Sequence, residues 1–253
     1  MLKMYIMKFN YSNTIKFCTL IFCTILLVFV NGCKKDPKTK PVLETSAVTD
    51  IDGNIYKTVK IGNHWWMAEN LKTKTYRNGT TIPKIQSDTT QWKRDTTGAY
   101  CIYDNNANAP GLLYNWFAVN NTNQIAPTGW HIPSDDEWKE LEKQLGMSST
   151  EVDKTSWRGT DQGEKLKIES PNGWTKSGDV WSTNESGFAA LAGGCRMFDG
   201  RWGDPGLFAT GFWWSISVNN NQAWYRYLDY KNANVFRYYG LKTYGFSVRC
   251  IKD

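Results

Sequence analysis

The chain has 253 residues, of which 41% are hydrophobic, and it carries 30 Lys and Arg against 24 Asp and Glu. Its first 32 residues contain three lysines and no acidic residue, so the remainder has 27 basic and 24 acidic residues, a net charge of +3. Because this excess is small and no run of five Lys or Arg occurs, the sequence indicates no nucleic-acid partner.

The N-terminus has the pattern of an export signal. Three lysines precede an uncharged apolar run over residues 17–30, which is shorter than the ~20 residues that a transmembrane helix needs. The run ends in Val30-Asn31-Gly32-Cys33, which resembles a lipobox, the motif whose cysteine is acylated after cleavage. We therefore predict a signal peptide over residues 1–32, a lipid anchor at Cys33 and a flexible tether over residues 33–48. An ordinary signal peptide with a chance cysteine is the alternative.

The folded part opens with a predicted hairpin. Asp52-Gly53 is a turn pair, and residues 55–61 alternate as a strand does, before a second strand through residues 65–67. The clearest helix begins after Ser134, because Ser134 and Glu137 form the S-x-x-E pattern of a capping box. Apolar residues at helical spacing continue this helix until a glycine ends it.

The second half of the chain is rich in short strand patterns that Gly and Asn separate. A second helix is expected over residues 150–157, and strands are expected over residues 212–218, 223–228, 233–238 and 245–251. The order of strands, one or two helices and then more strands indicates one α+β domain over residues 49–253. Its sheet is expected to be mainly antiparallel, with long Gly/Asn-rich loops.

Six segments of the sequence resemble a known family in the family's own order. They read DIDGNIYKTVKIGNHWWMAENLK, GLLYNWFAVNN, APTGWHIPSDDEWKELEKQLG, NESGFAALAGG, AWYRYLDYKNANVFRYY and GFSVRCIKD. This series is similar to the Fibrobacter succinogenes major paralogous domain over residues 48–253. The resemblance implies a C-type-lectin-like fold, of the branch that includes formylglycine-generating enzymes. It also implies an exported lipoprotein or a module of a surface protein.

Three cysteines lie in the folded part: Cys101, Cys195 and Cys250. Three thiols allow one disulfide and one leftover thiol, and the spacing alone leaves the pairing open. The family resemblance implies a Cys101–Cys250 disulfide with Cys195 unpaired, and a Cys195–Cys250 disulfide stays as the alternative.

The sequence offers little for catalysis. Its two histidines, His64 and His131, adjoin tryptophans and indicate structural roles, and no nucleophile motif of the G-x-S-x-G kind occurs. An oxidase of the formylglycine-generating type would need two neighbouring thiols to bind copper, and Cys195 has no second cysteine within several residues. We therefore expect no enzyme, no catalytic residue and no cofactor.

Bound calcium is a weaker alternative. The loops Asp199–Asp204 and Asn219–Asn221 are rich in the oxygen ligands that calcium prefers. Asn and Asp in loops are most often turn formers, however, so no metal ligand is assigned.

The C-terminal half has the composition of a recognition surface. From Trp213 to Tyr239 the chain is crowded with Trp, Tyr, Asn and Arg, which stack on sugar rings and hydrogen-bond to hydroxyl groups. Strand alternation assigns Trp224, Leu228 and Phe236 to the core, although a register error of one residue would exchange the two faces. The residues expected to be exposed and to contact a ligand are Arg226, Tyr227, Asp229, Asn232, Asn234, Arg237 and Tyr239.

These features predict a non-catalytic lipoprotein that is anchored to the outer membrane, at the cell surface or on the periplasmic face, and that binds glycan. One alternative is a protein-binding or structural surface module, and a distant one is an oxidase of the formylglycine-generating type. The expected partners are the membrane, through the lipid anchor, and a glycan or a surface protein.

Overall fold

The computed structural model describes residues 42–169, 173–176, 178, 182–203 and 205–253. The predicted signal peptide, the anchor residue Cys33 and most of the predicted tether lie outside these ranges. None of the helices within the ranges combines the length and the apolar character of a membrane span.

The described residues form twelve β-strands and four α-helices. In chain order they are β1 (Thr45–Thr49), β2 (Ile55–Ile61), β3 (His64–Met67), α1 (Thr89–Arg94), β4 (Tyr100–Cys101), β5 (Leu113–Asn115), α2 (Trp116–Val119), β6 (Trp130–His131), α3 (Asp135–Gln144), β7 (Ser156–Arg158), α4 (Gln162–Leu166), β8 (Thr210–Asn219), β9 (Gln222–Asp229), β10 (Val235–Leu241), β11 (Gly245–Phe246) and β12 (Ile251–Lys252). A single 3-10 turn, Tyr103–Asn105, follows β4.

The strands assemble into three sheets. Their orders are β1-β2-β3-β12-β6, β7-β10-β9-β8 and β11-β5-β4. Every pairing between these strands is antiparallel. Together with the helices, this arrangement confirms the α+β class with mainly antiparallel sheet.

The opening hairpin is confirmed, since β2 and β3 pair as antiparallel strands. The turn before β2 is closed by Asp50, whose carboxylate accepts hydrogen bonds from the backbone N–H groups of Asp52 (3.0 Å) and Asn54 (2.9 Å). The hydroxyl of Tyr56 donates a further bond of 2.6 Å to the same carboxylate. A buried carboxylate with several donors is what makes this turn rigid.

The tether prediction is wrong for its last four residues. β1 covers Thr45–Thr49 and pairs with β2 along its whole length. Val48 also packs against buried side chains of the hydrophobic core. Pairing with β2 and this contact together order a segment whose composition alone predicts a linker.

Helix α3 is confirmed together with its cap. The Ser134 hydroxyl accepts from the Glu137 backbone N–H (3.2 Å), and the Glu137 carboxylate accepts from the Ser134 backbone N–H (2.7 Å). This reciprocal pair satisfies two N–H groups that the helix itself leaves without a partner. Gly146, just beyond the helix, has a φ of 96°, which favours glycine.

The helix predicted over residues 150–157 is wrong. This segment is a turn that leads into β7, where Trp157 pairs with Phe236 of β10. The carbonyl oxygen of Asp153 accepts a hydrogen bond of 2.7 Å from Arg237. Tertiary contacts of this kind override a local helical preference.

Two other parts of the pattern also differ from expectation. The strand predicted over residues 245–251 is two short strands, of which β11 pairs with β5 and β12 pairs with β3 and β6. The sequence pattern does not predict α1, α2 and α4, which have only six, four and five residues.

Buried apolar side chains form three clusters. The first includes Trp214 and Phe246, the second Trp66 and Trp138, and the third Trp92. All three are built from the compact unit Pro41–Asp253. Because this unit contains its own hydrophobic core, we expect it to fold by itself.

A buried network of five charged side chains joins α3 to the four-stranded sheet. We call it the ionic network; its members are Asp135 and Glu142 of α3, Arg158 of β7, Arg226 of β9 and Arg237 of β10. Glu142 contacts Arg226 and Arg158, each at 2.6 Å, while Asp135 contacts Arg226 at 2.7 Å and Arg237 at 2.6 Å. Each carboxylate therefore bridges two strands of the sheet.

The ionic network contains three cations and two anions, so its balance depends on both carboxylates. Burial alone would raise the pKa of Asp135, but hydrogen bonds and charges from Arg237 and Arg226 outweigh burial and hold that pKa well below its usual range. Charges taken out of water in this way are tolerated only when they are paired and hydrogen-bonded.

The three cysteines of the folded part are free, buried thiols. The Cys101–Cys250 disulfide expected from the family resemblance is therefore wrong, and so is the alternative Cys195–Cys250 bridge. Cys101 belongs to the third hydrophobic cluster, whereas Cys195 and Cys250 belong to the first. Burial raises the pKa of Cys101 and of Cys195 to about 12, so both pack as small neutral side chains.

The unequal charge count of the ionic network predicts unequal costs of mutation. Glu142→Gln leaves three buried guanidinium groups with one carboxylate, so we expect a loss of about 3–5 kcal/mol in the free energy of unfolding. Arg226→Met removes the surplus cation and leaves two balanced pairs, so its loss should be clearly smaller. Urea unfolding of both variants measures the difference.

Glu140→Gln serves as the control for that experiment, because Glu140 lies on the same helix but is exposed and pairs with His64 at the surface. It should change the unfolding free energy by less than about 0.5 kcal/mol. An Arg226→Met variant as unstable as Glu142→Gln would contradict this account of the charge balance.

Candidate functional site

The seven residues expected to contact a ligand do not share one surface. Arg226 and Arg237 are only 1% and 5% exposed, so their predicted exposure is wrong. The reason is the ionic network: α3 presents two carboxylates to this face of the sheet, and the two arginines point toward them. The other five are half-buried, namely Tyr227, Asp229, Asn232, Asn234 and Tyr239.

The residues expected in the core differ as well. Leu228 is buried as predicted, whereas Trp224 and Phe236 are half-buried. The rings of Phe236 and Tyr227 lie on the face opposite to Arg226. Since successive side chains of a strand alternate between faces, the arginine positions decide which aromatic residues stay accessible.

The accessible side of the four-stranded sheet carries a group of rings that we call the aromatic face. Its members come from all four strands: Trp157, Phe212, Tyr225, Tyr227, Phe236 and Tyr238. Tyr238 is 38% exposed, and the other five are half-buried. Of these six rings, sequence analysis predicted only Tyr227 to be exposed. It assigned Phe236 to the core and placed Trp157 in a helix that does not form. It did not single out the other three, Phe212, Tyr225 and Tyr238, because the pairing partners of their strands are distant in the sequence.

Four of these rings form a single row across the sheet. Phe212 pairs with Tyr227, Tyr227 with Phe236, and Phe236 with Trp157. The ring centroids along the row are 4.4, 5.6 and 5.3 Å apart. Three strand spacings of about 4.8 Å make the row roughly 14 Å long.

The polar end of the aromatic face is the turn between β9 and β10. The Tyr227 hydroxyl donates to the Asp229 carboxylate (3.3 Å), which also accepts from the side-chain amide of Asn232 (2.8 Å). Burial, and then the charge of Asp229, raise the pKa of Tyr227, so its hydroxyl stays a neutral donor. Asp229 and Asn232 thus shape the turn and place polar atoms beside the rings.

At its β8 end the aromatic face packs against the hydrophobic core. Phe246 stacks on Phe212 with a centroid distance of 4.9 Å and lies 5.0 Å from Tyr225. Phe246 is itself buried in the first hydrophobic cluster. This contact fixes the rings of Phe212 and Tyr225 against the core.

The sequence of this domain matches a family model. The model of the Fibrobacter succinogenes major domain matches residues 59–252. The chain belongs to this family. The family segment contains every residue of the aromatic face and all five members of the ionic network. No curated protein and no solved structure matches the chain.

The two histidines of the family domain contact carboxylates. His64 Nε2 lies 3.1 Å from Glu140, while His131 lies between Asp253 (2.6 Å from Nδ1) and Glu137 (2.8 Å from Nε2). Burial by itself lowers the pKa of His131, but hydrogen bonds to Asp253 and Glu137 outweigh burial and raise it. Because Glu137 also belongs to the capping box of α3, His131 joins the C-terminus to the start of that helix.

The oxygen-rich loops considered for calcium are engaged in turns. The Asp199 carboxylate accepts from the backbone N–H of Arg201 (3.1 Å) and from its guanidinium (2.7 Å). Asn220 has a φ of 54°, as a tight turn requires. Asp204, the other carboxylate of the first loop, lies outside the described residues. In the part of the chain that the structure describes, no three His, Cys, Asp or Glu side chains gather in a way that could hold a metal ion.

The contacts of His131 predict a pH-dependent contribution to stability. A pKa raised in the folded state means that the stabilisation is fully present below the unfolded value of about 6.5 and is lost as the pH rises through the folded value. The difference in unfolding free energy between the unmodified chain and His131→Gln should therefore be largest near pH 5.5 and shrink toward pH 9. Urea unfolding across this range measures it.

Asp253→Asn is the matched variant for His131, because it removes one of the two carboxylates and keeps the shape of the side chain. It should reduce the same pH dependence without abolishing it. A difference that stays constant, or grows, as the pH rises would contradict the assigned role of His131.

Proposed function

We propose that this protein is a non-catalytic, lipid-anchored protein of the cell envelope whose domain binds glycan through the aromatic face. The observation that carries the proposal is the row of four rings, one from each strand of a single sheet. An aromatic ring offers a flat apolar surface that matches the C–H face of a sugar ring. A row of such rings suits an extended sugar chain better than a small isolated ligand.

Polar atoms beside the row supply the second requirement of sugar recognition. Tyr227 contributes a neutral hydroxyl, and the carboxylate of Asp229 and the amide of Asn232, which also close the turn after β9, lie beside it. Sugar hydroxyl groups both donate and accept hydrogen bonds, so a mixed set of this kind can orient a chain that stacks on the rings.

The rigidity of the support also favours recognition. Tyr and Trp give a large contact area at a low cost in conformational entropy, and rings that are already packed lose even less freedom on binding. The stack of Phe246 on Phe212 and the ionic network on the far side of the sheet hold the aromatic face in one arrangement.

The lectin-like part of the proposal concerns the fold. Antiparallel sheets, one long helix with a capping box and a closing strand in the N-terminal sheet are compatible with a C-type-lectin-like domain. Together with the family resemblance, these features support that fold. The envelope location rests on the apolar leader and on the lipobox-like segment that ends at Cys33.

The aromatic face predicts which variants lose glycan binding. Trp157→Ala and Tyr227→Ala should each weaken binding to an immobilised polysaccharide at least tenfold, about 1.4 kcal/mol, because each breaks the row. Trp65→Ala is the matched control: Trp65 is also a half-buried tryptophan, but it lies on β3 of another sheet. Binding of the unit Pro41–Asp253 to a polysaccharide array, with and without calcium, gives the readout.

Thermal unfolding of each variant confirms that the fold is intact before binding is compared. The proposal fails if no polysaccharide in the array is retained, or if the two face variants bind as well as the Trp65→Ala control. Retention of a cell-surface protein by the aromatic face, without any glycan, would favour the protein-binding alternative instead.

The lipobox-like segment predicts a covalent lipid at Cys33. Cells that express the full chain should incorporate labelled palmitate into it, and the protein should fractionate with membranes. Cys33→Ser should abolish the label and release the protein from the membrane fraction, while Cys23→Ser, in the leader, should leave both unchanged. Labelling that survives Cys33→Ser would rule out this anchor.

A further inference from the structure

A second cavity lies between three loops and shares no residue with the aromatic face. It is bounded by residues 86–89 at the start of α1, by the turn Tyr103–Asn105 and by the loop 196–202, and its volume is about 400 Å³. We call it the Trp202 pocket. Volumes of about 300–1,000 Å³ are usual for small-molecule sites.

One wall of the Trp202 pocket is a rigid aromatic ring. The half-buried indole of Trp202 lies 5.3 Å from the ring of Tyr103. Behind it, the guanidinium of Arg196 is sandwiched between Trp202 (5.0 Å) and Trp92 (4.4 Å). Arg196 is fully buried and donates to the carbonyl oxygen of Gly200 (3.0 Å). This cation therefore holds the indole in place before any ligand binds.

The backbone of the surrounding loops is tightly set. Gly200 has a φ of 87°, and a Cβ at this position would lie 2.6 Å from the Cα of Thr89. Only a glycine lets the two loops approach this closely. Asp104 and Asn105 have φ values of 43° and 53°, an uncommon conformation for residues other than glycine. The loops thus bring these two side chains to the mouth of the pocket in a defined orientation.

The polar side chains at the mouth have no partners within the described part of the chain. Asp104, Asn105, Ser87 and Thr89 are exposed, and none of their side chains forms a hydrogen bond to another described residue. Elsewhere in the fold, loop carboxylates such as Asp229 close turns. The mouth therefore keeps two hydroxyl groups, one amide and one carboxylate available beside an aromatic wall.

The charges around the pocket favour a neutral ligand. The exposed guanidinium of Arg201 is paired with Asp199 at 2.7 Å, so it does not offer a free positive charge. The carboxylate of Asp104 would repel an acidic ligand, and the buried Arg196 would oppose a cation. A neutral ring with one apolar face and hydroxyl groups along its edge matches both the wall and the mouth.

We propose that the Trp202 pocket binds a single neutral sugar ring, the end or a branch of a glycan, with the ring stacked on Trp202 and its hydroxyl groups bonded to Asp104, Asn105, Ser87 and Thr89. This site goes beyond the aromatic face, which suits an extended chain. A half-open pocket of about 400 Å³ has room for one sugar unit and leaves its reducing end or branch point in solvent.

The test uses the unit Pro41–Asp253 with glucose, galactose, mannose, xylose and N-acetylglucosamine as separate probes in ligand-observed NMR titrations. At least one probe should bind with a dissociation constant in the millimolar range or tighter. Trp202→Ala should weaken this binding at least tenfold. Asp104→Gly should weaken it about fivefold or more and should change the melting temperature little, because the Asp104 side chain has no partner among the described residues and glycine accepts the φ of 43° at this position.

Two variants separate this site from the aromatic face. Trp157→Ala should leave monosaccharide binding unchanged, and Asp136→Ala, another exposed carboxylate outside the pocket, should do the same. The proposal is overturned if no probe binds, if Asp104→Gly binds as the unmodified unit does, or if Trp157→Ala abolishes monosaccharide binding. Polysaccharide binding without monosaccharide binding would rule out only the pocket site. Monosaccharide binding without polysaccharide binding would rule out only the aromatic face.

Discussion

The ionic network between α3 and the four-stranded sheet is the constraint on which the aromatic face depends. Asp135 and Glu142 can be buried only if arginines from β7, β9 and β10 meet them. This requirement fixes Arg226 and Arg237 on the helix side of the sheet. Because strand side chains alternate, it also places the neighbouring aromatic residues on the other side. The position of the aromatic face therefore follows from the pairing of buried charges on the other side of the sheet.

The two proposed binding surfaces are connected by aromatic contacts. Phe198, in the loop that carries Trp202, lies 5.6 Å from Tyr244, and Tyr244 lies 5.3 Å from Phe246. Phe246 in turn supports Phe212 of the aromatic face. Because the pocket and the row of rings belong to one packed framework, the proposed binding of a sugar end and a sugar chain requires no rearrangement of the core, which keeps the entropic cost of binding low.

The three cysteines of the folded part form no cross-link within the described residues. Each of the three thiols occupies an apolar site, and burial keeps it protonated. Disulfides are most needed where a small core cannot balance chain entropy. Here three hydrophobic clusters, with five fully buried tryptophans among the largest side chains, and buried arginine contacts supply that stability, so the thiols serve as packing groups.

Local sequence determined the elements whose cause is local: the β2–β3 hairpin, the Asp52-Gly53 turn that precedes β2, the capping box of α3 and the α+β order of elements. Its family motifs also determined the family. Only the tertiary structure decided which face of β9 is buried, because the alternation Tyr225-Arg226-Tyr227-Leu228 is amphipathic in either register. Only the tertiary structure likewise decided that the thiols are buried and unpaired and that Trp157 lies on the aromatic face, because the neighbours of these residues are distant in the chain. From the sequence, Arg226 is expected to be exposed. Its partner Asp135 lies 91 residues away in the chain, and only folding brings the two side chains together.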